Sequence, residues 1–136
     1  MHSSYTAALP SPSRLPAGTE TARYLRHVPP AHDGTRESTH RIWFRVPVDL
    51  PDDIHLHTAL LGFASDWTGV GGRPLHLEGD IGGMVSLDHA AWFHRPARAD
   101  EWLFYDVHSL VNAGGRGLLR GVMRDRDGNV VISVAQ

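Results

Sequence analysis

Between residues 41 and 46 the chain alternates: Ile42, Phe44 and Val46 take one side, Arg41, Trp43 and Arg45 the other. Period two predicts a half-buried strand. Pro47 and Pro51 bracket a connection, and Pro51-Asp52-Asp53 sets a proline and two acids where a helix begins. Leu56, Ala59, Leu60, Phe63 and Trp67 then recur at three- and four-residue spacing, which predicts one long amphipathic helix over about 52–67. A glycine-rich loop follows at 69–83, and strand-like runs at 84–93, 101–109, 116–124 and 129–136. The last two are joined by Asp125-Arg126-Asp127-Gly128, and Asp-Gly between apolar runs is a strong hairpin signal. A single long helix must cover one face of an antiparallel sheet, so the fold class is α+β.

The first 38 residues break this pattern. They hold five of the nine prolines (Pro10, Pro12, Pro16, Pro29 and Pro30) and few large apolar residues. Such a segment buries too little surface to offset its ordering entropy, so 1–38 reads as a mobile N-terminal arm or linker. Residues 20–28 could form a short helix within it. The domain proper is expected at 39–136.

Composition narrows the chemistry. The chain has 136 residues, no cysteine and a formal charge of -2. That excludes a thiolate nucleophile and a cysteine-bound metal, and argues against a nucleic-acid binder. All 13 basic residues are arginine, which excludes a Schiff-base lysine. No apolar run reaches the roughly 18 residues of a membrane span, and the N-terminus lacks a secretory pattern. The expectation is a soluble, cytoplasmic protein with no membrane association.

Most short motifs have a structural reading. His55 and His57 are two apart on the helix and do not share a face, so no metal site is expected. The 125–129 stretch lacks the ligand series and later glutamate of a calcium loop. There is no nucleophile elbow, P-loop or dinucleotide motif. Gly114-Gly115-Arg116-Gly117 suits either a flexible strand entry or bulge, or a phosphate contact with Arg116 supplying charge. Asp66 stands at the negative C-terminal end of the helix, opposed by about 0.3–1 kcal/mol. A local rule broken in this way can mark a site, although a solvated surface acid fits equally well. Ser86 and His89 would face apart in a regular strand, which argues against a serine–histidine pair. Spacing gives Gln136 no special standing.

One string is specific. Residues 86–96 read Ser-Leu-Asp-His-Ala-Ala-Trp-Phe-His-Arg-Pro, followed by Arg98-Ala99-Asp100-Glu101-Trp102-Leu103 and Tyr105. It resembles the C-terminal half of the acyl-CoA thioesterase II family. Leu60-Leu61-Gly62-Phe63-Ala64-Ser65-Asp66 is similar to that family's helix end. Arg116-Gly117-Leu118, Arg120-Gly121, Asp127-Gly128 and Ser133-Val134-Ala135-Gln136 continue the match in order. The resemblance covers about residues 39–136. It implies a hot-dog fold, one long helix wrapped by a curled antiparallel sheet, here as a single hot-dog.

The resemblance also implies a reaction, the hydrolysis of fatty acyl-CoA to a free fatty acid and CoA without a cofactor. The family's site is an aspartate at the helix end, a serine or threonine before the Asp-His pair and a glutamine in the last strand. By position these are Asp66, Ser86 and Gln136. Together they would hold a water that attacks the thioester carbonyl, with the carboxylate taking its proton. Arg95, Arg98 and Arg116 are candidates for the phosphates of CoA. Family chains carry two hot-dogs and a last strand that runs past the glutamine, so 39–136 reads as one hot-dog truncated there. It is expected to pair with a second copy or another hot-dog. Two alternatives stand beside hydrolysis: a non-catalytic half that binds acyl-CoA or a partner, and an enoyl-CoA hydratase. The latter wants an aspartate and a histidine facing the substrate, and the adjacent Asp88 and His89 would face apart.

Overall fold

The computed structural model describes residues 25–28, 39–66 and 85–136. Six strands form one antiparallel sheet: β1 (Leu25–Val28), β2 (Thr39–Phe44), β3 (Ala90–Phe93), β4 (Leu103–Ala113), β5 (Arg116–Arg124) and β6 (Val130–Ala135). Their spatial order is β1-β2-β4-β5-β6-β3, which leaves β1 and β3 as the edges. The single helix of these residues, α1 (Ile54–Ser65), packs on one face. This is the α+β layering that the order of elements predicts. No helix among the described residues is long and apolar enough to cross a membrane.

Two expectations change. Residues 25–28 are strand, not helix: they pair antiparallel with β2, Leu25 opposite Phe44 and Val28 opposite Arg41. Of the run at 84–93, the described residues are strand only from Ala90, and residues 85–89 are irregular. Ser86 therefore lies outside the alternation of a strand. Trp67 and the glycine-rich loop at 69–83 lie outside the described residues.

The core lies between α1 and the inner face of the sheet. Ile42, Phe44, Tyr105, Val107, Met123, Ile132 and Val134 meet Leu61 and Ala64 there. The helix is turned relative to expectation. Its buried face is His57, Leu61, Ala64 and Ser65, with Leu60 partly covered, while Phe63 is 69% exposed and Ala59 is also exposed. Apolar residues occur almost all round this helix, so spacing alone could not choose the inward side. The β2 strand differs too, since Trp43 on the opposite face is as buried as Ile42 and Phe44. Its indole lies 5.2 Å from the Phe104 ring, a tilted pair across two hydrogen-bonded strands.

Local chemistry sets the ends of these elements. Asp53 caps α1, its carboxylate accepting from the N–H groups of His55 and Leu56 at 2.9 and 3.4 Å. Such a cap is worth about 1 kcal/mol. The Gly114-Gly115 turn joins β4 and β5 with φ of 60° and 74°, a conformation that favours glycine at both positions. That resolves the glycine cluster as a tight hairpin. The predicted Asp-Gly hairpin joins β5 to β6, with Gly128 at φ 86° and its N–H donating to Asp125 O at 3.1 Å.

A dense network fixes the N-terminal end of α1. Arg98 donates to Asp100 through Nε and Nη2 at 2.9 and 2.8 Å, to Asp52 at 3.2 Å and to Leu50 O at 2.9 Å. Leu50 N–H donates to Asp100 at 2.8 Å. The Ala99 N–H donates to Nδ1 of the buried His57 at 3.1 Å. Arg98 and Leu50 together hold the Asp100 carboxyl down at about 2, against an ordinary value of 3.8. A shallow cavity of about 280 Å³ lies at this end, lined among others by Asp52, His57, Arg98 and Trp102.

Candidate active site

At the other end of α1 the backbone is anchored from below. The Tyr105 hydroxyl donates to the carbonyl of Ser65 at 2.8 Å. Its ring reaches this position because residue 121 is glycine: a Cβ there would come within 2.6 Å of the ring. The helix then stops at Asp66, whose N–H donates back to Phe63 O at 3.3 Å. The Asp66 side chain projects outward, 63% exposed.

Two other chain segments converge on it. Gln136 follows β6 and is fixed by paired backbone bonds with Leu119, at 3.1 and 2.8 Å. Its side-chain amide is mostly buried and donates to Asp66 Oδ1 at 2.9 Å and to Ser86 Oγ. Residues 70 and 50 positions apart in sequence thus share one amide nitrogen. The register explains the convergence: β6 lies between β5 and β3, so its end meets the chain that leads into β3. The helix comes down over that strand, with Phe93 Cζ 3.7 Å from where a Gly62 Cβ would sit.

The geometry adds two residues that the strand pattern hides. His89 Nε2 is 2.8 Å from the hydroxyl of Ser65, and His89 Nδ1 is 3.9 Å from Asp66 Oδ1. Ser65 is fully buried and its hydroxyl donates to Gly62 O at 2.7 Å. Treating 84–93 as a regular strand sets His89 apart from Ser86; because β3 begins at Ala90, both can turn toward the helix end. The adjacent Asp88-His89 pair was the available signal.

The arginines are placed elsewhere. Arg98 is committed to Asp100, Asp52 and Leu50 at the far end of α1. Twelve helical residues separate the two ends, about 18 Å. Arg116 is exposed beside the Gly114-Gly115 turn, three residues or about 10 Å along β5 from Leu119. Arg95 is exposed, just after β3. None of the three contacts Asp66 or Ser86 among the bonds of the described residues. No cluster of three or more metal-ligating side chains occurs among those residues.

With the sheet, the helix and the convergence of Asp66, Ser86 and Gln136 in view, the relatives fall into place. Residues 4–136 match the family of the acyl-CoA thioesterase C-terminal domain. The chain belongs to that family. Acyl-coenzyme A thioesterase 8 of rat is 35% identical over 105 residues, which is 75% of this chain and 33% of that protein. Acyl-CoA thioesterase 2 of Haemophilus influenzae is 32% identical over 98 residues, 69% of this chain and 34% of that one. The chain therefore spans about a third of the length of these relatives. Among solved structures, acyl-CoA thioesterase II TesB2 from Mycobacterium marinum superposes with a TM-score of 0.77 at 36% identity, covering all of this chain and 55% of that one. The fold is the hot-dog fold of these thioesterases.

Proposed function

We propose that this chain hydrolyses fatty acyl-CoA thioesters, with Asp66, Ser86 and Gln136 gripping the attacking water. The observation that carries the reading is the Gln136 amide bridging Asp66 and Ser86. Both hydrogens of that amide are directed, so the glutamine fixes the carboxylate and the hydroxyl relative to each other. The hydroxyl of Ser86 accepts from Gln136 and keeps its own hydrogen to offer. Asp66 Oδ1 accepts from the amide, and the carboxylate still has lone pairs for a water proton.

In the reaction, water oxygen bonds to the thioester carbonyl carbon while Asp66 takes a water proton. The tetrahedral intermediate then collapses, the C–S bond breaks, and the CoA sulfur leaves with the electron pair and takes up the proton held by the site. The protein lends orientation and a proton acceptor, effects worth several orders of magnitude in rate when well placed. Ser86 stays unacylated in this scheme. Arg95 and Arg116 remain the candidates for the CoA phosphates, since the donors of Arg98 are engaged.

A partner hot-dog is part of the proposal, either a second copy or another chain. Near the edge strand β3, Val85, Leu87, Trp92 and Phe93 are 81%, 74%, 54% and 46% exposed. Large apolar side chains left exposed along a sheet edge are what a partner can cover. Light scattering at micromolar concentration is expected to give a dimer of the chain, or a complex with a separate hot-dog subunit.

The test is thiol release from acyl-CoAs of varied chain length, by the wild type and by Asp66→Ala. The wild type is expected to release CoA and the variant to lose nearly all of that rate. Equal rates would remove Asp66 from the mechanism, and tight acyl-CoA binding without release would replace hydrolysis with the binding reading. Crotonyl-CoA is expected to remain unchanged. Its hydration would move the reading to enoyl-CoA chemistry, for which Asp66 and His89 rather than Asp88 and His89 are the neighbouring pair.

A further inference from the structure

We propose that His89 is a positioning residue of this site: it acts through Asp66, holding the proton that the carboxylate takes from water. The inference rests on the hydrolytic reading above and follows from where the hydrogens must lie. Ser65 Oγ is 2.7 Å from the carbonyl of Gly62, which can only accept. The single hydroxyl hydrogen goes there. Toward His89 the same hydroxyl can then only accept, so Nε2, at 2.8 Å, carries a hydrogen. In the neutral ring Nδ1 is therefore bare. Nδ1 is also the nitrogen that faces Asp66 Oδ1 at 3.9 Å.

Two acceptors facing each other at that separation call for a hydrogen between them. In the resting site a water supplies it by donating to both. After the attack, the hydrogen is the proton Asp66 has just taken, passed on to Nδ1. The cycle balances. One O–H bond of water breaks and its oxygen bonds to carbon. The proton goes to Asp66 and then to Nδ1. When the C–S bond breaks, the thiolate takes a proton back from the site, and His89 returns to neutral. The buried hydroxyl of Ser65 thus has a function: it sets the tautomer, and through it the direction of the bare lone pair.

The ring is fixed from both sides, by α1 through Ser65 and by its own chain segment, which continues directly into β3. Its side chain keeps 26% of its surface exposed, so the proton has a route to solvent and substrate.

The test uses His89→Gln and His89→Ala in the intact chain. Glutamine can keep a donor toward Ser65 and lacks the acceptor at Nδ1. Its kcat is expected to fall about a hundredfold, the lower range for a positioned proton acceptor, with KM within twofold and melting unchanged. Alanine is expected to show the same kcat loss and a lower melting temperature. Wild-type kcat in His89→Gln would overturn the proposal and leave the hydrolase reading intact. A wild type that releases no thiol from any acyl-CoA would instead overturn the hydrolase reading, and this proposal with it. A second readout does not depend on turnover. Ring nitrogen NMR of neutral His89 is expected to show hydrogen on Nε2 alone, mixed tautomers in Ser65→Ala, and a moved Nδ1 signal in Asp66→Asn. Hydrogen on Nδ1 of the neutral wild-type ring would overturn the proposal.

Discussion

Asp100, beside the N-terminal end of α1, is 8% exposed and gripped by two donors of Arg98 and one backbone N–H, whereas Asp66, at the other end, keeps 63% of its side-chain surface and meets a neutral amide. Both are aspartates of one short helix–sheet unit. The first is locked into an ionised, fully partnered state and holds the loop against the helix. The second stands at the end where the helix dipole opposes it, with lone pairs left over and a histidine nearby. On the proposed mechanism, the difference separates an acid that builds from an acid that works. A carboxylate that has spent its acceptors on arginine has little left for a water proton.

Replacing each acid by its amide separates the two ends of α1 most clearly. Asp66→Asn keeps the shape and an acceptor for Gln136 but loses the proton acceptor. Thiol release is expected to fall about a thousandfold with unchanged melting, an effect in the range of general base catalysis. Equal rates would erase the distinction between the two ends. Gly121→Ala attacks the anchor under the working end, since its Cβ would press to 2.6 Å from Tyr105. We expect destabilisation of about 1–3 kcal/mol by chemical denaturation, as overpacked cores show. Asp100→Asn is expected to lower the melting temperature and leave activity per folded molecule intact. Because the folded-state carboxyl titrates at about 2 rather than 3.8, the wild type holds its full advantage above about pH 4 and loses it as pH falls through 2. An advantage that persists at pH 1.5 would contradict the assignment. The smallest effect is expected from Gly114→Ala, about 1 kcal/mol from left-handed strain in an open turn.

Much of the frame was legible in the residues. The alternation around Ile42, the proline and acids before α1 and the Asp-Gly turn marked a strand, a helix start and a hairpin, because each depends on local chemistry. The helix's inward side was not legible. Leu56, Ala59 and Phe63 have the right spacing, yet His57, Leu61 and Ala64 are inside, a choice made by the sheet and not by the helix. The burial of Trp43 was hidden for the same reason, since it needs Phe104 from a strand 60 residues later. Asp66 is marked in the sequence by its opposition to the helix dipole. Ser86 and Gln136 are legible only through the family resemblance, because their meeting depends on β6 lying beside β3. Strand alternation hides His89, because the regular strand begins only at the next residue, Ala90.

The most direct test of a shared, activated water is a single-turnover experiment with enzyme in excess over acyl-CoA, following thiol release while the intact protein is weighed. One thiol released per substrate is expected, with protein mass unchanged throughout and release in Asp66→Asn slowed to about a thousandth. An acyl group found on Ser86, or release as fast without the Asp66 carboxylate as with it, would contradict it.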